Sequence, residues 1–166
     1  MEISLHLLNR MDAEPLLEFE AENRDFFEKS VPSRGHAYYT IRGFSESLQK
    51  LLVEQEKDFS SFYLIKNEAG KVLGRINLVD IDKVNSIAEI GFRIGEDSIG
   101  KGVGNKALTL LIQSDLPVKK ISGKPTTVNK ASMKLLEKNG FKQTGIGEEE
   151  FELNGEKMRF VHYLWC

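Results

Sequence analysis

The chain has 166 residues, 40% of them hydrophobic and 29% charged, with a net charge of -2. That profile predicts one soluble globular domain over 1–166 rather than two, long enough to bury a core that needs neither disulfides nor a structural metal. The single cysteine, Cys166, supplies neither a disulfide framework nor a thiolate metal site; no apolar run approaches the roughly 20 residues of a membrane span, and the acidic, alternating start predicts a cytoplasmic protein without a signal peptide.

Residues 2–8 read as a strand. Asp12 then caps a predicted helix whose Ala13, Leu16, Leu17 and Phe19 fall near helical spacing, and Pro15 sits in its first turn, where a missing N–H is tolerated. Ser45 opens a second predicted helix, with Phe44, Leu48, Leu51 and Leu52 on one face and an end near Lys57. Strands at 62–66 and 72–81 flank Asn67-Glu68-Ala69-Gly70, a hairpin-like link with a turn glycine. Residues 86–95 alternate: Ala88, Ile90, Phe92 and Ile94 face one way, Ile87, Glu89, Gly91 and Arg93 the other, as in a half-buried strand. A helix from about 104 to 114 presents Ala107, Leu108, Leu111 and Ile112, and Pro117 follows its end. After a short strand at 118–124, Asn129 caps a helix with Ala131, Leu135 and Leu136 inward and Gly140 past its end. Two final strands, about 148–153 and 157–165, are joined by Asn154-Gly155, a strong hairpin signal.

The near-neutral charge averages two unequal parts. Between Gly100 and Lys142 stand nine lysines (101, 106, 119, 120, 124, 130, 134, 138, 142) against Asp115 and Glu137, so that segment carries +7 and the remainder -9. Such a segment suits a polyanion, or is a solvated face. Within it, Gly100-Lys101-Gly102-Val103-Gly104-Asn105-Lys106 lies between a predicted strand and a predicted helix. Three glycines in five residues let the backbone curl so that several N–H groups point at one anion beside a helix N-terminus. The nucleoside-triphosphate loop ends in Gly-Lys-Ser/Thr, and the dinucleotide loop spaces its third glycine one residue later; neither pattern fits.

These residues resemble those of a known family. Ala88-Glu89-Ile90-Gly91-Phe92-Arg93-Ile94, the glycine loop through Leu108, and Asn129-Lys130-Ala131-Ser132 through Glu137-Lys138-Asn139-Gly140-Phe141 resemble three motifs of the GNAT superfamily of acetyl-CoA-dependent N-acetyltransferases, in the family's order. Ala21-Glu22-Asn23-Arg24-Asp25-Phe26 and Tyr38-Tyr39 resemble its RimJ/RimL-like branch, the ribosomal-protein N-terminal acetyltransferases. The resemblance implies an α/β (α+β) fold: a mixed, strongly bent sheet of about 6–7 strands flanked by about 4 helices. It also implies a sheet splayed between the strands at 86–95 and 118–124, with acetyl-CoA in the opening and no metal. It puts the co-substrate against Phe92, Arg93, Ile94, Lys101, Gly102, Val103, Gly104, Asn105, Lys106, Asn129, Ser132 and Leu135.

Two positions depart from the family pattern. Ile99 stands where a Gln or Arg often opens the loop, and Leu136 stands where other branches carry a tyrosine acid. Ser132, three residues after Asn129, matches the serine that the RimJ/RimL-like branch uses as proton donor to the departing thiolate. The resemblance also gives a backbone N–H near Phe92 to the oxyanion and Asn129 to the pantetheine amides. Asn129 and Ser132 read equally as an N-cap and a first-turn serine, roles compatible with catalysis. Glu148, Glu150 and Glu152 share one face of a predicted strand. One of them, raised in pKa by apolar surroundings and like charges, could take the amine's proton directly or through water; the resemblance, which implies an acidic base in this region, selects Glu150, with Glu89 the second candidate and a merely solvated cluster the alternative. A cysteine at position 166 leaves direct transfer favoured over a covalent acetyl-cysteine.

An α-amine at about pKa 7.8 deprotonates roughly 3.5 kcal/mol more cheaply than a lysine at about 10.4, which favours a protein N-terminus as acceptor. The alternatives are a small-molecule amine such as an antibiotic or polyamine, a non-catalytic CoA-binding regulator, and a nucleotide or nucleic-acid binder; the overall charge argues against the last. Composition leaves a homodimer open.

Overall fold

The computed structural model describes residues 2–166; Met1, the first residue of the predicted domain, lies outside them. Strands β1 (Ile3–Leu7), β2 (Ser61–Asn67), β3 (Val72–Asp82) and β4 (Ile87–Ile94) form an antiparallel meander. Next to β4 lies β5 (Lys120–Gly123), which runs parallel to it. With β6 (Lys142–Ile146) and β9 (Val161–Trp165) the sheet order is β1-β2-β3-β4-β5-β9-β6. Strands β7 (Phe151–Leu153) and β8 (Glu156–Met158) form a separate hairpin. Asn154 and Gly155 both take positive φ at its tip, as a two-residue primed turn requires.

Pleating divides the residues between two cores. Ile65, Ile76, Leu78, Ala88, Ile90, Ile121 and Tyr163 face α4 (Val103–Gln113) and α5 (Lys130–Lys138), where Ala107, Leu108, Leu111 and Leu136 meet them. On the opposite face, Phe62, Leu64 and Val72 pack against Leu16 and Phe19 of α1 (Ala13–Glu22), Phe27 of α2 (Arg24–Glu28), and Phe44 and Leu48 of α3 (Ile41–Glu56). The parallel β4-to-β5 connection passes through α4, so the helices that follow these two strands start at the same end of the sheet.

Several elements differ from the sequence reading. Asn9, not Asp12, is the capping residue: its Oδ1 accepts from the Met11 N–H, and Asp12 Oδ2 accepts from the Asn9 N–H at 2.8 Å around a 3-10 turn, after which α1 begins at Ala13. Helix α3 starts at Ile41, four residues before the predicted Ser45, because the Thr40 hydroxyl accepts from the Gly43 N–H. Helix α2 and strand β6 are additional to the expected elements. The predicted strand at 157–165 is two strands broken at 159–160, and the predicted strand at 148–153 begins only at Phe151, since Gly147 and three consecutive glutamates precede it.

Candidate active site

The pairing of β4 with β5 stops early. Register partners are Ile87–Lys120, Ala88–Ile121 and Glu89–Ser122, whereas β4 continues to Ile94, so the two strands separate beyond Glu89. The Gly95 N–H donates to the Leu73 carbonyl at 2.9 Å. By antiparallel alternation Arg93, Gly91 and Glu89 turn their backbone groups toward β3, and Ile90, Phe92 and Ile94 turn theirs into the opening. The splay expected between these strands is therefore present, and the Phe92 N–H lies on its edge.

Two helix N-termini flank the opening. Gly102, at φ +77°, caps α4 without a side chain, and the helix's first-turn amides at Val103, Gly104 and Asn105 have no intrahelical acceptor. Gly100 is also at φ +77°, a backbone conformation that glycine adopts without strain, and the Lys101 N–H between the two glycines donates to the Ser98 carbonyl at 3.3 Å. At Gly104 a Cβ would lie 2.7 Å from Leu135 Cδ1, so this glycine lets α5 pack close against the start of α4. Leu135, expected at the co-substrate, is thus also the packing contact between these helices. The Asn105 side chain is likewise committed: its Oδ1 accepts from Asn139 Nδ2 at 2.9 Å, leaving its main-chain amide for an anion.

At the start of α5, Asn129 Oδ1 accepts from the Ser132 N–H at 3.1 Å, which is the capping role, and the amide's Nδ2 end remains for a ligand. The half-buried Ser132 hydroxyl has no partner among the described residues. Leu136 is buried in the core, as its spacing predicted. The nine lysines are all exposed, and they do not gather at one place: Lys101 and Lys106 adjoin the glycine loop, but Lys119 and Lys120, whose main-chain N–H groups donate to the Ser86 carbonyl, stand at the far end of β5.

The other face of β4 carries Arg93, Gly91 and Glu89, in register with Arg75, Asn77 and Val79 of β3. Arg93, expected at the co-substrate, turns away from the opening. Its Nη1 donates to Glu20 Oε2 at 2.9 Å and its guanidinium lies 4.4 Å from the Phe27 ring centroid, while Arg75 Nη1 donates to Glu20 Oε1 at 2.6 Å. Burial pulls the Arg93 guanidinium below its ordinary pKa, and Glu20 opposes that shift. Burial, then Glu20 and Glu28, push the Tyr39 phenol above its ordinary value, so it stays an O–H donor at neutral pH.

The two candidate bases occupy unlike surroundings. Glu89 stands at the fork of the splay, 29% exposed, with Oε1 3.2 Å from Lys124 Nζ. Glu150 lies outside any strand, 47% exposed and 3.9 Å from Arg159 Nε, so the apolar environment expected to raise it is not there; Glu148 and Glu149 are exposed as well.

Between Arg93 and Glu89 the site holds a feature that the sequence reading missed. Among the described residues Asn77 Oδ1 is buried with no hydrogen-bond partner, and a Cβ at its register partner Gly91 would meet nothing within 4 Å. An orphaned acceptor beside open space suits a ligand donor. Across this face the β7–β8 hairpin is tied to the end of α2: Asn154 Nδ2 donates to the Glu28 and Lys29 carbonyls at 3.1 and 2.9 Å.

Comparison with known proteins agrees with this geometry. Residues 3–142 match the model of the acetyltransferase (GNAT) domain. A probable N-acetyltransferase, YjcK, of Bacillus subtilis (strain 168) is 30% identical over 87% of this chain and 82% of its own length. The [ribosomal protein uS5]-alanine N-acetyltransferase of Escherichia coli (strain K12) is 27% identical over 92% of this chain and 81% of its own. The crystal structure of microcin C7 self-immunity acetyltransferase in complex with acetyl-CoA and AMP superposes with a TM-score of 0.87 at 25% identity, covering 99% of this chain and 92% of that one. The ribosomal-protein-S5-alanine acetyltransferase of Vibrio fischeri has the same fold, with a TM-score of 0.86 at 20% identity over 98% and 92% of the two chains. With its splayed β4–β5 pair, its glycine-capped helix and a family match across most of its length, the chain belongs to the GNAT family of N-acetyltransferases.

Proposed function

We propose that this protein, acting as one domain, transfers the acetyl group of acetyl-CoA directly to the N-terminal α-amine of a protein. The observation that carries the reading is the convergence of three elements on the splay: the β4 edge at Phe92, the uncapped amides of α4, and Asn129 with Ser132 at the start of α5. The residues fit the co-substrate. Amides from Gly102 to Asn105, assisted by Lys101 and Lys106, receive the pyrophosphate. The Asn129 Nδ2 group bonds a pantetheine carbonyl, and Phe92 and Ile94 offer the backbone edge along which the pantetheine lies.

The acceptor arrives from the opposite face, over Gly91. There Asn77 Oδ1 accepts one N–H of the amine, and Glu89, nearer than Glu150 to the end of the β4–β5 pairing, takes the proton directly or through water. The amine nitrogen bonds to the thioester carbon, and the carbonyl oxygen becomes an oxyanion facing the Phe92 N–H. The C–S bond then breaks as Ser132 gives its proton to the leaving sulfur and regains one from solvent. Similarity to an enzyme named for ribosomal protein uS5 alanine supports an α-amine acceptor, as does the lower deprotonation cost of that amine.

The test is a panel of free-N-terminal peptides, lysine peptides with blocked N-termini and small amines, with products located by fragment mass spectrometry. Acetylation confined to α-amines is expected. Transfer only to lysine or small amines would overturn the acceptor assignment.

Gly102→Ala separates loop geometry from charge. No atom lies within 4 Å of the added Cβ, so the cost is the left-handed backbone alone, about 1–2 kcal/mol. If the loop relaxes and its amides turn away, acetyl-CoA binding weakens about tenfold, whereas kcat at saturating acetyl-CoA changes little. Isothermal titration calorimetry reads this directly, and an unchanged Kd would remove the loop from pyrophosphate binding.

A further inference from the structure

The acceptor side carries more positive charge than the molecule's acidic average suggests. Arg75 and Arg93 share the single carboxylate of Glu20. Arg75 also lines a groove of about 280 Å³ between α3 and the segment before it, with Arg34, Lys50 and Glu54 on the walls and Phe44 and Leu51 as apolar surface. Glu54 accepts from the Ser60 hydroxyl at 3.1 Å. Four cations in and under this groove thus face two carboxylates, Glu20 held by two of the cations and Glu54 hydrogen-bonded through one oxygen to a neutral hydroxyl.

Arg34 is the telling residue. Its Nη1 donates to the Tyr38 hydroxyl at 2.7 Å, and its guanidinium lies 4.8 Å from the Tyr38 ring centroid; Tyr38 in turn packs on Phe44 at 5.2 Å. No carboxylate among the described residues pairs with it. A guanidinium held in place by an aromatic neighbour, with its remaining donors free, is preorganised for a planar oxyanion. Arg34 is also near enough to Arg93 for its charge to act on that guanidinium.

We propose that this groove receives an acidic side chain of the acceptor, so that the protein selects peptides with a carboxylate close to the reacting α-amine. This rests on the peptide-amine reading above. Arg75 and Asn77 are two residues apart on one strand face, roughly 7 Å, and an extended peptide covers that distance in two residues. The selected carboxylate is therefore at the third residue of the acceptor. The same charge disfavours a polyamine, whose cations would meet Arg34 and Lys50.

The experiment measures peptide binding to the CoA-loaded protein by calorimetry, independently of turnover. Otherwise identical peptides carry Glu, Gln or Lys at the third position, against the wild type, Arg34→Glu and Lys50→Glu. Arg34 and Lys50 are exposed, so both variants are expected to fold, and circular dichroism checks this. The wild type binds the Glu peptide about tenfold more tightly than the Gln peptide and rejects the Lys peptide. Arg34→Glu loses that preference and gains affinity for the Lys peptide. Equal binding of the three peptides, or an Arg34→Glu variant that keeps the Glu preference, would overturn the groove assignment. A peptide bound with the expected preference but never acetylated would instead support the groove and overturn the transfer reading.

Discussion

Replacing Ser132 with Ala is expected to lower kcat about a hundredfold and to leave the KM for acetyl-CoA within about twofold. The size follows from the leaving group. General acids typically contribute 10²–10⁴-fold, and a thiolate, whose conjugate acid has a pKa of about 8.5, departs more easily than an alkoxide or amide, so the lower end applies. The change is clean because the Ser132 hydroxyl bonds nothing among the described residues, while the backbone N–H that completes the Asn129 cap survives the substitution. Stability should therefore shift by no more than about 0.5 kcal/mol. Steady-state kinetics beside a thermal melt make the distinction: a folded Ser132→Ala with kcat within threefold of wild type would remove the residue from the chemistry.

Glu20→Ala is expected to cost about 3–5 kcal/mol of folding stability, since it strands Arg75 and Arg93 with their side chains only 8% and 18% exposed and, among the described residues, no other carboxylate bonded to either. For a chain of this length that lowers Tm by roughly 10 °C. Catalysis should fall too, because Glu20 fixes the residue next to Phe92 and hence the edge that meets the oxyanion. The double replacement Glu20→Ala/Arg75→Met removes one of the stranded charges and should recover part of the loss. Urea unfolding measures both variants, and a Glu20→Ala loss below 1 kcal/mol would mean that water or a rearranged side chain already compensates the guanidinium groups.

These two residues mark where the sequence was legible and where it was not. The place of Ser132 in the first turn of α5 was readable because its signal is local, a capping asparagine three residues earlier, an apolar stripe behind it and a glycine after the helix, whereas its role as proton donor rests on the family resemblance. The Gly100–Gly104 loop was readable for the same reason, as was the Asn154-Gly155 turn. Glu20 falls on the buried stripe of α1, four residues after Leu16, but its role was opaque because its partners lie 55 and 73 residues away. Asn77 is a comparable case, a polar residue whose importance appears only once Gly91 lies beside it across the sheet. Strand β6, Lys142–Ile146, escaped notice because four of its five residues are exposed and no apolar alternation is left to read. Helix α2 is too short, at five residues, to display a period. The contrast between a basic segment and an acidic remainder was real in the sequence but spatially misleading, as Lys119 and Lys120 lie away from the opening and the arginines Arg34, Arg75 and Arg93 lie on the opposite face of the sheet.

The central claim is that the opening between β4 and β5 holds acetyl-CoA while an α-amine attacks from the other face of β4. The most direct measurement incubates the protein with acetyl-CoA and a peptide whose α-amine and lysine are both free, follows thiol release, and locates the acetyl group by fragment mass spectrometry. Thiol release matched one for one by acetyl on the α-nitrogen, at a rate that rises with pH through the peptide's own α-amine pKa, is the predicted result. Tight acetyl-CoA binding with no amine-dependent thiol release would contradict it.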